Sequence, residues 1–139
     1  MKTIKQMALF MGAGILLVSL SAGTLSAQTK PAGKPWDVKA EGAKLKNPVK
    51  SDDASIKAGK DVWAQQCKSC HGATGKGDGS KAEKIEISIP DFTGKDFQAM
   101  SDGEIYYKTT EGRKPMPGFK EKLSDTERWQ VVTFMRTLK

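Results

Sequence analysis

Cys67-Lys68-Ser69-Cys70-His71 closes a helical pattern, and its reading decides the fold of the whole chain. Spaced three apart, the two sulfurs fall on one helical face, and the next residue projects an imidazole beside them. C-x-x-C-H is the attachment motif for a c-type haem. Each thiol adds to one haem vinyl group as a thioether, which holds the macrocycle where His71 can bind iron from one side. Three other readings compete. A zinc site needs a fourth strong ligand, and the chain has no other cysteine or histidine. A thioredoxin-like dithiol wants a βαβ context that the pattern lacks. A disulfide between Cys67 and Cys70 closes too small a loop to stabilise much.

Upstream of the motif, Ile56, Gly59, Val62, Trp63 and Gln66 recur at steps of three and four. The spacing predicts a helix from about Ser55 to Cys67, capped by Asp53 or Ser55. Gly59 on that face costs about 1 kcal/mol against alanine, which is justified where another helix approaches closely. Ser101-Asp102-Gly103-Glu104 is a capping box, with Met100 and Ile105 placed as a hydrophobic staple. That helix is expected to end near Glu111, with Gly112 as its left-handed stop. Ser124-Asp125-Thr126-Glu127 repeats the device and opens a helix predicted to run to Leu138. Its broad apolar face is Trp129, Val131, Val132, Phe134, Met135 and Leu138, and Arg136 and Lys139 suit the negative end of its dipole. Ile85, Ile87 and Ile89 alternate with Glu86 and Ser88, but Pro90 ends the run and no partner strand is evident, so it reads as an extended loop. Gly72, Gly75, Gly77 and Gly79 form a loop that lets backbone pass close to a cofactor. It is not a phosphate loop, because Asp78 stands where lysine is needed. The expected class is all-α, with three main helices and long loops.

The chain has 139 residues, 37% hydrophobic and 28% charged, which suits one small domain with tails. Residues 1–27 have the order of an export signal: Lys2 and Lys5, an apolar stretch from Met7 to Leu20, then small residues up to Ala27. Cleavage after Ala27 is expected, with Ala22 as the alternative site and an uncleaved membrane anchor as the alternative fate. Either outcome puts the body outside the cytoplasm, in the periplasm or its equivalent. Cleavage leaves 21 basic against 16 acidic residues, a net charge of +5. Residues 28–53, with Pro31, Pro35, Pro48 and six lysines, read as an extended arm or linker, either laid on a neighbouring surface or solvated. Residues 54–139 are the folded body, a thin core of the size that is commonly helped by a metal, disulfide or cofactor. The dispersed basic residues accompany no nucleic-acid reading motif, so no nucleic acid is expected as a partner.

These features together resemble a class I cytochrome c over residues 54–139. The elements that carry the likeness are the helix ending in C-x-x-C-H with Gly59 and Trp63 upstream, the loop Pro115-Met116-Pro117-Gly118-Phe119, and the aromatic C-terminal helix. The resemblance implies a cytochrome c-like fold wrapped around one covalent haem c, with first and last helices crossing so that Gly59 meets Phe134 or a neighbour. His71 is the only histidine, so a second iron ligand has to come from elsewhere. Met135 belongs to the apolar stripe of the last helix and Met100 to the staple. Met116 lies between prolines that stiffen its loop, and the family's distal methionine occupies such a loop. Met116 is therefore the expected ligand, the alternative being an exposed loop methionine with iron open to water or a small ligand. The resemblance also suggests Pro90 as a carbonyl for the other His71 nitrogen, the alternative being a plain turn proline. Arg113, Lys114 and Trp129 are candidates for contact with haem propionates, or else solvated cations and a core tryptophan.

A thioether opposite histidine raises the reduction potential and fills the iron's coordination shell, which favours moving electrons over binding substrates. The expected function is that of an exported one-electron carrier and not an enzyme. Lys114, Lys120 and Lys122 flank Met116 and, with Met116 as the ligand, either steer acidic redox partners to the haem edge or form an ordinary solvated surface, since Glu111 and Glu121 are interspersed. Membrane association is expected only if the N-terminal segment is retained. The rivals are a haem-bearing subunit of a larger periplasmic or membrane redox complex, and a haem enzyme or sensor with an open sixth position.

Overall fold

A computed structural model describes residues 30–139. The export signal expected over 1–27 lies outside the described residues. The described elements are helical: α1 (Ala40–Ala43), α2 (Asp53–Val62), a π-helical turn (Trp63–Cys67), α3 (Lys68–His71), a 3₁₀ turn (Ala82–Lys84), α4 (Lys95–Gln98), α5 (Asp102–Glu111) and α6 (Asp125–Met135). Only two isolated β-bridges occur among the described residues, which bears out the all-α class.

The capping signals act where they stand. Ser101 and Ser124 each accept from the amide three residues on, and Glu104 and Glu127 reach back to the cap amides, completing both capping boxes. Gly112 stops α5 at φ 65°. The first helix is capped by Asp52, one residue before Asp53 and three before Ser55. Asp52 is extended (φ −129°) and accepts from the Ser55 amide at 2.9 Å, so Asp53 already belongs to the helix. The last helix ends at Met135 rather than Leu138, because Thr137 and Leu138 turn back onto the carbonyls of Phe134 and Met135.

The α2–α6 crossing holds the domain together, and Gly59 sits in it. A Cβ on Gly59 would lie 2.0 Å from the Gln130 carbonyl oxygen and 2.9 Å from Phe134 Cβ, so only glycine lets the two backbones come this close. Around the crossing, Trp63, Ile105, Trp129, Val131, Val132 and Phe134 are buried, Val131 and Val132 completely. Arg136 ties the end of α6 to the start of α5: it bonds Asp102 Oδ1 at 2.7 Å and the carbonyls of Gln98 and Met100.

The arm lies down on the body. Asn47 donates to the Trp129 carbonyl and Thr133 hydroxyl of α6, and α1 packs Gly42 against Tyr107 of α5. Lys30 Nζ donates to the carbonyls of Ala82 and Glu83, and the Ser88 amide donates to the Pro31 carbonyl at 2.9 Å. Ala32 and Ser88 form a parallel bridge, so the isoleucine run does have a pairing partner, supplied by the arm.

Candidate functional site

The π-helical turn carries the chain from α2 into the C-x-x-C-H motif: the Lys68 amide bonds the Trp63 carbonyl, one residue further back than an α-helix allows. Such turns are rare and concentrate at functional sites. Here the inserted residue re-aims the motif relative to the α2 face that packs on α6. Glycine-loop amides then fold back to cap the motif's free carbonyls, Gly77 on His71, Gly79 on Cys70 and Lys81 on Ser69. Trp63 braces the turn by donating Nε1–H to the Gly72 carbonyl at 3.1 Å.

Cys67, Cys70 and His71 line one cavity of about 560 Å³, walled chiefly by apolar side chains. The two cysteines do not form a disulfide with each other. Burial pushes the Cys67 thiol up to about 12, with Cys70 adding to the rise. A thiol that resists ionisation is a poor redox nucleophile, which counts against the dithiol reading. No cluster of three or more His, Cys, Asp or Glu fit for a metal exists among the described residues. His71 is held by ring contacts, to Phe92 at 4.6 Å and Trp63 at 5.8 Å between centroids. Burial pushes its imidazole down to about 4, so the ring is neutral at physiological pH, the form that binds a metal. Its Nδ1 is buried without a hydrogen-bond partner. Two cysteine sulfurs and a neutral imidazole gathered on one apolar cavity fit a covalently held haem, while the unpaired Nδ1 is left without the carbonyl partner that would orient the ring.

Met116 lines the same cavity from the loop after α5. Its amide and carbonyl both bond Arg113, each at 2.9 Å, which closes a tight turn over Arg113–Met116. The loop is pinched at its base, where a Cβ on Gly112 would fall 2.1 Å from the Gly118 amide nitrogen. Phe119, just beyond, is buried and its amide bonds the carbonyls of Thr109 and Thr110. Met100 and Met135 line the cavity too, which sequence patterning did not separate from staple and core roles. The sulfur of Met100 accepts from Lys108 Nζ at 3.0 Å, and Met135 is 3% exposed in the α6 core.

The remaining candidates divide. Pro90 lines the cavity, but its carbonyl does not receive the orphaned His71 Nδ1. Lys114 lines the cavity and is exposed. Arg113 lines it as well, but its terminal nitrogens are committed to the arm: Nη1 donates to the Pro35 carbonyl at 2.8 Å and Nη2 to the Lys34 carbonyl at 2.5 Å. Trp129 does not reach the cavity. It stacks on Tyr106 with centroids 3.9 Å apart, because its helical position faces α5. Sequence reasoning missed the arm as a wall. Ala32, Gly33, Pro35 and Trp36 line the cavity beside Ile85, Ile87 and Ile89, whose alternation with exposed Glu86 and Ser88 was the available signal.

Residues 54–135 match the family model described as cytochrome c oxidase, cbb3-type, subunit III. Among solved structures, the chain is similar to one from the Kuenenia stuttgartiensis reducing HAO-like protein complex Kustc0457/Kustc0458. The two are 33% identical over 69% of this chain, with a TM-score of 0.61, and this chain spans 48% of that one. It is also similar to the KustC0563 c-type cytochrome, 32% identical over 58% of this chain and 96% of the other, with a TM-score of 0.52. No curated protein matches the chain. With the helical fold, the paired thiols beside a neutral histidine, and a family match over more than half its length, this chain belongs to the class I cytochromes c, whose cofactor is covalently bound haem c with its iron.

Proposed function

We propose that this chain is an exported monohaem one-electron carrier, with Cys67 and Cys70 as the thioether-forming residues and His71 and Met116 as the axial ligands. The observation that carries this reading is the convergence of those four side chains on one apolar cavity. When bound, haem would supply a ferric/ferrous couple, and a thioether ligand from the chain would raise its potential. The chain's residues supply the rest. His71 offers a neutral nitrogen held between aromatic rings. The Met116 sulfur is positioned by a turn pinned at both backbone groups, and among the described residues no protein donor claims it. Met100 is the weaker candidate, because Lys108 already occupies its sulfur. Ile85, Ile87, Ile89, Phe92 and Phe97 line the cavity with apolar surface, which lowers the local dielectric and keeps water from the iron. Residues 28–53 are read as the arm and 54–139 as the haem-bearing domain.

The test is spectroscopic, on protein made in a host that attaches haem. Met116→Ala is expected to lose the sulfur–iron charge-transfer band of the oxidised protein, and Met100→Leu to keep it. Retention of the band in Met116→Ala would overturn the ligand assignment. Binding of carbon monoxide or cyanide by the parent under mild conditions would favour a haem enzyme or sensor over a carrier.

A second reading is favoured by one finding: a similar solved structure comes from a multi-protein complex. In that reading the same haem domain serves as a fixed subunit of a larger redox assembly. Native purification separates the two, a carrier running alone and a subunit with its partner. In either case Lys114, Lys120 and Lys122, all exposed beside the Met116 turn, are the proposed docking rim for an acidic redox partner. The proposed site of action is the periplasm or its equivalent, and no helix among the described residues is long and apolar enough to cross a membrane.

A further inference from the structure

The family match begins at residue 54, yet one wall of the cavity is built from residues 32–36, outside it. This segment is fastened at three points. At its start, Lys30 Nζ holds the carbonyls of Ala82 and Glu83. In its middle, the Pro31 carbonyl and Ala32 pair with Ser88. At its end, Arg113 does two things at once. Its guanidinium takes the carbonyls of Lys34 and Pro35 and lies over the Trp36 ring, 4.6 Å from the centroid. Its backbone makes both hydrogen bonds of the turn that presents Met116. Two charge-assisted hydrogen bonds and a cation–π contact converge on one side chain, a planar fork that lysine cannot reproduce.

We propose that residues 30–36 are a strap that closes one side of the haem cavity, and that Arg113 is a positioning residue locking this strap to the Met116 turn. The strap limits the access of small ligands to the iron and holds the sulfur in register. The part concerning the sulfur rests on the reading of Met116 as an iron ligand; the strap and its lock do not. Gly33 fits the same design. A Cβ there would lie 3.2 Å from Ile87 Cδ1, so the strap is seated close against the isoleucine wall, and a larger residue would require that side chain to give by a few tenths of an ångström.

The experiment compares the haem-loaded parent with Arg113→Ala, Arg113→Lys and Trp36→Ala. Its first readout is hydrogen exchange at the Ser88 amide, which bonds the strap carbonyl of Pro31 and touches no iron ligand. Losing the Arg113 contacts is expected to speed that exchange roughly tenfold or more, with Trp36→Ala giving a smaller rise. The second readout is the association rate of added imidazole with the oxidised iron. It is expected to rise roughly tenfold in Arg113→Ala and to be restored only in part by Arg113→Lys. Parent-like Ser88 exchange in Arg113→Ala would overturn the lock. Faster exchange with parent-like imidazole association would overturn the strap's control of access. Failure of the Met116 reading would show separately, as a Met116→Ala protein that keeps its charge-transfer band while the Ser88 result stands.

Discussion

Gly59→Ala isolates the contact on which the domain depends. The new methyl would lie 2.0 Å from the Gln130 carbonyl oxygen, 2.6 Å from its carbonyl carbon and 2.9 Å from Phe134 Cβ. Two of these three atoms are α6 backbone, so no side chain can swing away. Ordinary contact begins near 3.4 Å, and the helices would have to part by roughly 1.4 Å. Two effects oppose each other. Alanine improves the intrinsic stability of α2 by about 1 kcal/mol. Overpacking costs about 1–3 kcal/mol, and a rigid backbone neighbour puts this site at the upper end. The net expectation is a loss of about 2 kcal/mol, which for a domain of this size lowers the melting midpoint by roughly 8–16 °C. Thermal unfolding of the haem-loaded protein, followed by far-ultraviolet circular dichroism, measures it. A midpoint equal to or above the parent's would mean that the α2–α6 approach is looser than described, and the packing reasoning fails.

Other outcomes follow from the same geometry. Trp63→Phe removes the buried Nε1–H from the Gly72 carbonyl, and denaturant unfolding is expected to show a loss of about 2 kcal/mol, with a change below about 0.5 kcal/mol counting against a structural role for the bond. Tyr106, then Arg128, hold the Asp125 carboxyl below its ordinary value of 3.8. A lowered folded pKa contributes stability that is present above the unfolded value and lost as pH falls through the folded one. Asp125→Asn should therefore flatten the pH dependence of the melting midpoint below about pH 4, and an unchanged acid limb would refute it. Lys120→Glu combined with Lys122→Glu should slow electron transfer to an acidic partner several-fold at low ionic strength and by little at high salt. Stopped-flow rates independent of salt in both proteins would remove the docking rim.

Much of the site was legible because its signals are local. The C-x-x-C-H spacing works within one helical turn, and both capping boxes and the Gly112 stop act over three or four residues, so neighbours in sequence satisfy each other whatever the rest of the chain does. Gly59 was readable as a crossing point because a glycine on an apolar helical face calls for a close neighbour. The π-helical turn was not readable, since its extra residue leaves no mark in composition. Nor was the place of Trp129: an apolar residue near the start of α6 can face α5 or the cavity, and only the packing of Tyr106 against it settles which.

The order of residues alone determined the class of fold, both capping boxes and the Gly112 stop, because backbone capping is short-range. Only the tertiary arrangement decided that Met100 has its sulfur engaged by Lys108, that Arg113 turns from the cavity to the arm, and that the arm forms part of the cavity wall. Those facts join residues far apart along the chain. Which long-range partners meet depends on how whole elements pack, and a linear pattern does not record it.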